Sequence, residues 1–360
     1  MRHAKVVEAA APASYKARVK AAVLHGREDV RIEDVPEPAL RAGEVRVAIR
    51  AALTCGTDLK VFKRGGHPRM IQPPALFGHE LAGVICETGE GVTDWAIGDR
   101  VVPANSAPCG ECFHCRNAQE NLCDDLLFLN GAYAERIVIP ARIVQRNLHR
   151  LRPQTAFADA ALAEPLACVV QGVEESRLRA GQHVLVIGSG PIGIMFTCLA
   201  KNLGCRVTLA GRGAPRLQVA RRLGADAVVE VSGDNVVEAT SALRPFDVVI
   251  EAVGTPQTWE AATRLVRKGG TVNFFGGCAT GTTITLDTER LHYASLSLQA
   301  SFHHTPRAFR RALEFIEGGT VRAADFVDGE CALDELPALF ARMSRGQRAI
   351  KTLVRTAQAT

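Results

Sequence analysis

The stretch HVLVIGSGPIGIMFTCLA, His183 to Ala200, decides the fold of this chain. From Val184 onward it carries no charged residue and is long enough to suggest a membrane span, but three glycines and a proline interrupt it. The apolar run before the glycines and the longer apolar run after them predict a buried strand, a tight turn and a buried helix.

Strand and helix patterns continue to alternate beyond this stretch, as far as TVNFFGG at residues 271–277. Continuous apolar strands that alternate with helices predict a parallel sheet with helices on both faces. We therefore predict an α/β domain of the doubly wound Rossmann type over residues 161–297. TVNFFGG is interpreted as an edge strand of that sheet, suited to joining subunits.

The glycines of the opening stretch follow the pattern G-x-G-x-x-G at the predicted turn between strand and helix. Glycine allows the tight turn and the close approach of a pyrophosphate, whose charge the helix N-terminus stabilises. The sequence therefore predicts a site for NAD or NADP. The predicted cofactor-binding residues are Gly188, Gly190, Ile192, Gly193, Gly211, Arg212, Arg216, Val253 and Gly254.

The end of the second predicted strand, TLAGRGAPR, bears on the choice between the two cofactors. An NAD site usually has an acidic residue there that binds the ribose 2′-hydroxyl, whereas this chain has Gly211 and Arg212. Without the carboxylate a 2′-phosphate is not repelled, and Arg212 is able to pair with it. We expect NADP to be preferred, with Arg216 either in the same pocket or on a solvent-facing helix surface.

Composition limits the remaining possibilities. The 360 residues are 47% hydrophobic, enough for large buried cores and two domains, and the formal charge of +5 is not gathered into a basic block. We expect neither a nucleic-acid nor a membrane partner. The N-terminus has no continuous apolar run typical of a secretory signal, so a cytoplasmic location is expected.

The part of the chain before the Rossmann-type domain has a different pattern. Short β-branched runs separated by glycine and proline predict a β-rich domain over residues 1–160, with no helix before Phe157. After about Leu298 two helical patterns and a final strand, AIKTLVR, remain. We assign residues 298–360 to a return of the chain to the first domain.

Four of the eleven cysteines form a cluster near residues 105–125, with the spacing C-x₂-C-x₂-C-x₇-C. In a reducing compartment such a cluster holds a metal more often than disulfides. Four thiolates close tetrahedrally on one zinc ion and leave no open position, so Cys109, Cys112, Cys115 and Cys123 are predicted to form a structural zinc site. A non-enzymatic zinc-ribbon module is the alternative, but acidic residues surround the cluster. His114 is interpreted as a bystander.

A second set of ligand types lies upstream, in TCGTDLK and FGHELAG. Cys55, His79 and Glu80 supply a thiolate, an imidazole and a carboxylate, which suit zinc with one position left open. With CGTD at 55–58, GHE at 78–80, the four-cysteine cluster, AEPLA at 163–167 and GSGPIG at 188–193, the chain resembles the zinc-dependent medium-chain dehydrogenases, in particular their sorbitol (polyol) dehydrogenase branch. The resemblance implies a GroES-like catalytic domain in front of the Rossmann domain.

The resemblance also implies roles for individual residues. Cys55 and His79 are expected to bind a catalytic zinc, Glu80 to be a third, exchangeable ligand, and Glu164 to hold the metal-bound water or ligate directly. Asp58 is expected to fix His79 through its other ring nitrogen. Cys168 is expected to lie in the core.

The implied reaction transfers a hydride from a zinc-bound alkoxide of a secondary alcohol or polyol to NADP or NAD. Thr57 is expected to take the hydroxyl proton of the alcohol. Many relatives continue this relay with a histidine where this chain has Lys60, so Lys60 is expected either to contact the cofactor or to leave the last proton step to solvent.

Substrate and assembly are less closely defined by sequence. His303 and His304, in ASFHHTPRAF, stand where the sorbitol branch has an Arg-Tyr pair that faces the substrate, so they are expected either to bind substrate hydroxyls or to lie on the surface. A threonine-type amino-alcohol dehydrogenase with the same zinc and cofactor residues is the alternative function. The resemblance implies a homodimer or homotetramer.

Overall fold

A computed structural model of the protein describes residues 18–347 and 349–356. The N-terminal segment for which no secretory signal is predicted lies outside these residues. The strands are β1 (Arg18–Gly26), β2 (Asp29–Pro36), β3 (Val45–Leu53), β4 (Ala75–Leu76), β5 (Glu80–Thr88), β6 (Arg100–Pro103), β7 (Ser106–Ala107), β8 (Leu127–Phe128), β9 (Arg136–Ile139), β10 (Leu148–Arg150), β11 (His183–Ile187), β12 (Arg206–Gly211), β13 (Ala227–Glu230), β14 (Phe246–Glu251), β15 (Val266–Phe274), β16 (Ser297–Ala300), β17 (Val327–Ala332) and β18 (Lys351–Arg355).

The α-helices are α1 (Gly56–Arg64), α2 (Phe113–Arg116), α3 (Ala141–Arg146), α4 (Phe157–Ala160), α5 (Ala163–Glu175), α6 (Pro191–Asn202), α7 (Ala214–Arg222), α8 (Val236–Ala239), α9 (Pro256–Leu265), α10 (Thr288–Tyr293), α11 (Pro306–Glu317), α12 (Ala323–Phe326) and α13 (Leu336–Ser344).

The second half of the chain forms a six-stranded parallel sheet in the order β13-β12-β11-β14-β15-β16. Numbered from β11, this is the 3-2-1-4-5-6 order of the Rossmann fold, which binds ligands at the carboxyl ends of its central strands. Every residue of β11 is buried, as expected for a strand covered on both faces. The predicted fold class is confirmed.

The first half is built mainly from antiparallel strands. A seven-stranded sheet has the path β10-β6-β5-β3-β18-β17, with β9 also paired to β3, and β1 lies in a separate sheet between β2 and β4. Strand β18, near the end of the chain, pairs antiparallel with β3. The C-terminal part therefore returns to the first sheet, while the exact domain boundaries stay a prediction.

One buried core joins the two halves. Ala51 and Leu53 of β3 lie in the same apolar cluster as Leu166 of α5, Val186 of β11 and Phe309 of α11. The helices α5 and α11 pack against each other. The two sheets are thus held on a shared apolar surface rather than joined by a linker alone.

Two expectations about elements were wrong. The first half does contain a substantial helix, α1, which buries Leu59, Val61 and Phe62. Its nine residues are too few to show a clear helical period, and its N-cap is a cysteine instead of the usual Ser, Thr, Asp or Asn. TVNFFGG is not an edge strand either, because β15 lies between β14 and β16 and the short β16 forms the edge.

Candidate active site and metal centres

Cys55, His79 and Glu80 come together although 24 residues of chain separate the first two. Cys55 caps the N-terminus of α1, and Glu80 begins β5. Their ligand atoms lie within 4.8 Å of one another. Gly78 allows this arrangement because its φ is +88° and an added Cβ would lie 2.6 Å from the ring of Tyr133.

A buried hydrogen-bond chain orients His79. The Nδ1–H of His79 donates to Asp58 Oδ1 at 2.8 Å, and the hydroxyl of Tyr133 donates to Asp58 Oδ2 at 2.6 Å. Since a carboxylate only accepts, Nδ1 keeps its proton, and the atom that gives up a proton when a metal binds His79 is Nε2. That atom lies 3.8 Å from Glu164 Oε2, so it is available to a metal.

Glu80 has a partner that the sequence does not suggest. Lys351 of β18 donates to both carboxylate oxygens of Glu80, at 2.7 and 2.5 Å, and to the carbonyl oxygen of Thr54 at 3.0 Å. Both side chains are almost fully buried, with 2% exposure for Lys351 and none for Glu80. A carboxylate has further lone pairs, so Glu80 remains able to ligate a metal while it is paired.

Glu164, on the first turn of α5, faces a group of polar side chains across the site. One ligand atom of each of Glu164, His303 and His304 lies within 4.8 Å of the others. His303 Nε2 is 2.6 Å from Ser106 Oγ, and His304 Nε2 is 3.0 Å from Asn105 Oδ1. His304 is buried and His303 is partly buried, so neither side chain is fully exposed on the surface.

The position of Cys168 also differs from the expectation of a core residue. It is partly exposed, and it follows Glu164 by one helical turn on α5, so the two side chains share a face. Burial and the nearby charges of Glu164 and Cys55 hold its pKa well above the usual range.

The electrostatics of the site fit a bound cation. Burial lowers the pKa of His79, but the charges of Asp58 and Cys55 raise it by more, to well above its ordinary value. Burial raises the pKa of Glu80 to about 7 despite Lys351, and burial also raises that of Glu164. A thiolate, an imidazole and two carboxylates in one buried place form a donor set suited to zinc.

Thr57 and Lys60 lie on α1 next to these ligands. The backbone N–H of Thr57 donates to Cys55 Sγ at 3.4 Å, and its side chain is partly exposed. Lys60 reaches the other half of the molecule, where its Nζ lies 3.3 Å from the carbonyl oxygen of Gly277. Lys60 therefore bridges the two halves near the carboxyl end of β15.

A cleft of about 1040 Å³ opens at the carboxyl ends of β11, β12 and β14. Of the predicted cofactor-binding residues, it is lined by Gly188, Gly190, Gly211, Arg212, Arg216 and Val253. Gly193 instead packs α6 onto the turn, because an added Cβ would lie 1.8 Å from Gly188 O. Ile192 packs against the core, and the N–H of Gly254 donates to Glu251 Oε1 at 2.9 Å.

The end of β12 carries a cation into this cleft. Ser189 Oγ bonds the backbone N and O of Arg212 at 3.0 and 2.6 Å, and the exposed guanidinium of Arg212 donates to Gly233 O at 2.5 Å. Arg216 donates to Ala349 O at 3.1 Å. Asp234 and Asp328 line the same cleft.

The four clustered cysteines also come together. Sγ–Sγ distances are 3.9 Å for Cys109–Cys115, 3.5 Å for Cys112–Cys115 and 3.9 Å for Cys112–Cys123. Zn–S bonds of about 2.3 Å in a tetrahedron place sulfur atoms about 3.8 Å apart, so the four thiols fit one zinc ion. Backbone N–H donors lower the pKa of Cys112 to about 6, whereas burial raises that of Cys115 to about 12.

Comparison with known proteins agrees with the fold and with a zinc-dependent enzyme. A family model for the alcohol dehydrogenase GroES-like domain matches residues 41–149, and one for zinc-binding dehydrogenases matches residues 191–318. The sorbitol dehydrogenase of Halalkalibacterium halodurans is 30% identical over 340 residues, which cover 92% of this chain and 96% of that protein.

Two further proteins are similar over almost the whole chain. The L-threonine 3-dehydrogenase of Bacillus velezensis is 28% identical over 326 residues, covering 88% of this chain and 92% of that protein. A structure of a zinc-binding dehydrogenase from Sinorhizobium meliloti bound to NADP has a TM-score of 0.87 and 29% identity, covering 94% of this chain and all of that one.

The chain belongs to the zinc-dependent medium-chain alcohol and polyol dehydrogenase family. It is an enzyme, and the predicted reaction class is confirmed as zinc-dependent, NAD(P)-linked oxidoreduction of an alcohol or polyol. No helix within residues 18–347 and 349–356 is long and apolar enough to cross a membrane.

Proposed function

We propose that Cys55, His79 and Glu164 hold the catalytic zinc, with Glu80 as an exchangeable fourth ligand. The observation that supports this most is the free Nε2 of His79, which Asp58 directs toward Glu164. When bound, zinc supplies Lewis-acid polarisation of the substrate hydroxyl. The Cys109 to Cys123 group holds the structural zinc, and Asp58 positions His79.

The residues of this chain perform the remaining steps. Thr57, whose partly exposed hydroxyl lies two residues after Cys55, accepts the hydroxyl proton of the alcohol and passes it to solvent. A bound NADP or NAD would supply the hydride acceptor, so the alcohol would lose its hydroxyl proton to Thr57 and one hydride from its carbon, which amounts to a two-electron oxidation. Lys60, held at Gly277 O, links the two halves of the molecule near the carboxyl end of β15 instead of extending a relay. His303 and His304 bind further polar groups of the substrate.

Replacement of Cys55 by alanine tests the metal assignment. The Cys55→Ala enzyme is expected to keep its structural zinc, to contain about one zinc ion per chain instead of two, and to lose at least about 10³-fold in kcat. Zinc is measured by atomic emission, and turnover with NAD⁺ or NADP⁺ against a panel of secondary alcohols and polyols. Cys86→Ser is the matched control, since Cys86 is a partly buried residue of β5 outside both clusters. Normal turnover by Cys55→Ala would rule out this metal centre.

We further propose that NADP is the preferred cofactor, held at its 2′-phosphate by Arg212 and Arg216. Arg212→Asp is expected to reverse the preference by about 100-fold or more in kcat/KM, because it replaces a charge-assisted pair with a repulsion. Position 211 is less suitable, since an added Cβ at Gly211 would lie 2.5 Å from the Ser189 side chain. Asp234→Asn is the companion variant and should keep the NADP preference. If Arg212→Asp leaves the preference unchanged, another part of the cleft selects the cofactor.

The amino-alcohol alternative keeps one specific support, the similarity to an L-threonine 3-dehydrogenase. Threonine belongs in the substrate panel for that reason.

For assembly we propose a homodimer or homotetramer formed through β16, whose outer edge has no strand partner among the described residues. Light scattering tests the mass. None of the eleven cysteines, all of which lie within the described residues, forms a disulfide, which supports a cytoplasmic location that cell fractionation tests.

A further inference from the structure

Arg69 lies on a tight loop between α1 and β4. His67 and Ile71 close this loop with two backbone hydrogen bonds of 2.8 and 3.2 Å, and the backbone N–H groups of Arg69 and Met70 donate to His67 Nδ1 at 3.2 Å. The side chain of Arg69 is exposed, and its guanidinium makes no hydrogen bond or ion pair with the described residues. The loop therefore presents an unpaired cation.

The loop is fixed next to the active site by the segment that follows β8. Asn130 donates to Met70 O at 2.6 Å, and the ring of Phe128, two residues earlier, lies 5.4 Å from the ring of His303. Residues 128–130 thus touch both the Arg69 loop and a side chain of the site. Burial lowers the pKa of His303 to about 3, and the charges that lower it further are those of His79 and Arg69.

The other charges of the site leave Arg69 without a counterpart. The carboxylates of Glu80 and Asp58 are already paired with Lys351 and His79, and Glu164 faces His79 Nε2 at 3.8 Å as a proposed zinc ligand. His303 and His304 offer ring nitrogens for hydrogen bonds but no negative charge. A neutral polyol offers the guanidinium no opposite charge, whereas a carboxylate accepts two parallel N–H bonds from it.

We propose that the substrate is a hydroxy acid, a secondary alcohol that also carries a carboxylate, and that Arg69 binds this carboxylate at the mouth of the site. The inference rests on the proposed function, since the hydroxyl to be oxidised lies at Cys55 and His79. The carboxylate of the substrate stays outside the ligand cluster, because inside the cluster the charge of Glu164 would repel it. Arg69 thereby selects acids over the corresponding neutral alcohols.

Matched substrate pairs test the proposal with the zinc-loaded enzyme. In each pair one substrate has a carboxylate where the other has a hydroxymethyl group. The pairs are aldonates with hexitols of the same configuration, such as D-gluconate with D-glucitol, and L-threonine with L-threoninol. The acid of at least one pair is expected to have the higher kcat/KM. Arg69→Gln should lower the acid-to-alcohol ratio of kcat/KM by about 10- to 100-fold, mainly through KM, and Arg69→Lys should restore part of it.

Arg64→Gln is the control, because it removes a charge from the last turn of α1 next to the same loop. It should leave the ratio within about twofold of the wild type. A ratio that Arg69→Gln leaves unchanged overturns the proposal, as does an enzyme that oxidises hexitols or threoninol but none of the acids. In that second case the proposed alcohol dehydrogenase function stands. An enzyme with both zinc ions that oxidises no member of any pair contradicts the proposed function as well.

Discussion

The orientation of His79 depends on two side chains that do not touch the metal themselves. Asp58 accepts from the Nδ1–H of His79, and Tyr133 holds the second oxygen of Asp58 while its ring packs on Gly78. All three side chains are buried, so the carboxylate has little access to water and needs both donors. Asp58 and Tyr133 are positioning residues for the imidazole.

Asp58→Asn is expected to weaken catalytic zinc binding and to lower kcat/KM, each by about 10- to 100-fold, because the amide no longer carries the charge that raises the basicity of the imidazole. Zinc affinity is measured by competition with a chelator under conditions that keep the structural zinc bound.

Asp99→Asn, which removes an exposed ion pair with Arg150, serves as the control and should leave zinc affinity unchanged. Tyr133→Phe should act in the same direction as Asp58→Asn but more weakly. Wild-type zinc affinity in Asp58→Asn would mean that the backbone alone orients His79.

At this scale, sequence alone predicts the chemically distinctive residues and one of their partners, Asp58, but it misses Tyr133 and Lys351. Cys55 and His79 stand in recognisable motifs, and so does Glu164. Lys351 follows Glu80 by 271 residues in an ordinary strand, so only the pairing of β18 with β3 shows that the two side chains meet.

Among the elements, the lobe around the four cysteines has the least apolar support. Its helix α2 has four residues and buries none of them, and the ring of Phe113 is 70% exposed. The lobe nevertheless touches the active site, because Asn121 donates to Phe302 O at 2.9 Å, one residue before His303. A zinc ion bound by the four cysteines would therefore hold both the lobe and one wall of the proposed substrate site.

Cys112→Ser is expected to reduce zinc to about one ion per chain and to lower the melting temperature, because metal binding supplies much of the folding free energy of such a lobe. Proteolysis should then begin within residues 109–123. The catalytic zinc should remain, which separates this variant from Cys55→Ala.

Cys331→Ser is a useful control, since Cys331 is buried in β17 away from both metal sites. It should keep two zinc ions per chain whatever it does to stability. A Cys112→Ser enzyme that retained two zinc ions would show that the lobe binds metal through other ligands.

The elements that sequence patterns predicted best are the long, fully apolar ones. Strand β11 is fully buried and has no Asp, Glu, Lys or Arg, and helix α6 is buried over most of its length and has only Lys201, in its last turn. Helix α1 was missed because only one side of its nine residues is buried, and β15 was misplaced as an edge because its neighbour β16 is only four residues long and partly exposed.

Over the whole molecule, the junction between the first sheet and helix α11 contains two histidines, of which His304 is buried and His149 is partly buried. His149 of β10 stacks on Phe309 of α11, with 5.0 Å between ring centroids, and His304 contacts the same ring at 5.5 Å. Burial and the charge of Arg310 lower the pKa of His149 to about 4. The junction therefore requires neutral imidazoles.

The protein is expected to lose stability as the pH falls from about 6.5 to about 4. Over that range the unfolded chain binds a proton at His149 that the folded protein does not bind, so each decrease in pH favours unfolding. Below about pH 4 both states bind the proton, and the loss of unfolding free energy caused by His149 stops growing. His149→Gln should remove about 1–3 kcal/mol of the acid-induced loss. The measurement is the free energy of urea unfolding at pH 7.5 and pH 4.5, with zinc added equally. Because both proteins keep the same zinc ligands, acid release of metal affects them alike and cancels in the difference.

The control is His292→Gln, on the exposed helix α10, which should leave the pH dependence at the wild-type value. If His149→Gln loses stability in acid as steeply as the wild type, this junction does not govern the acid response.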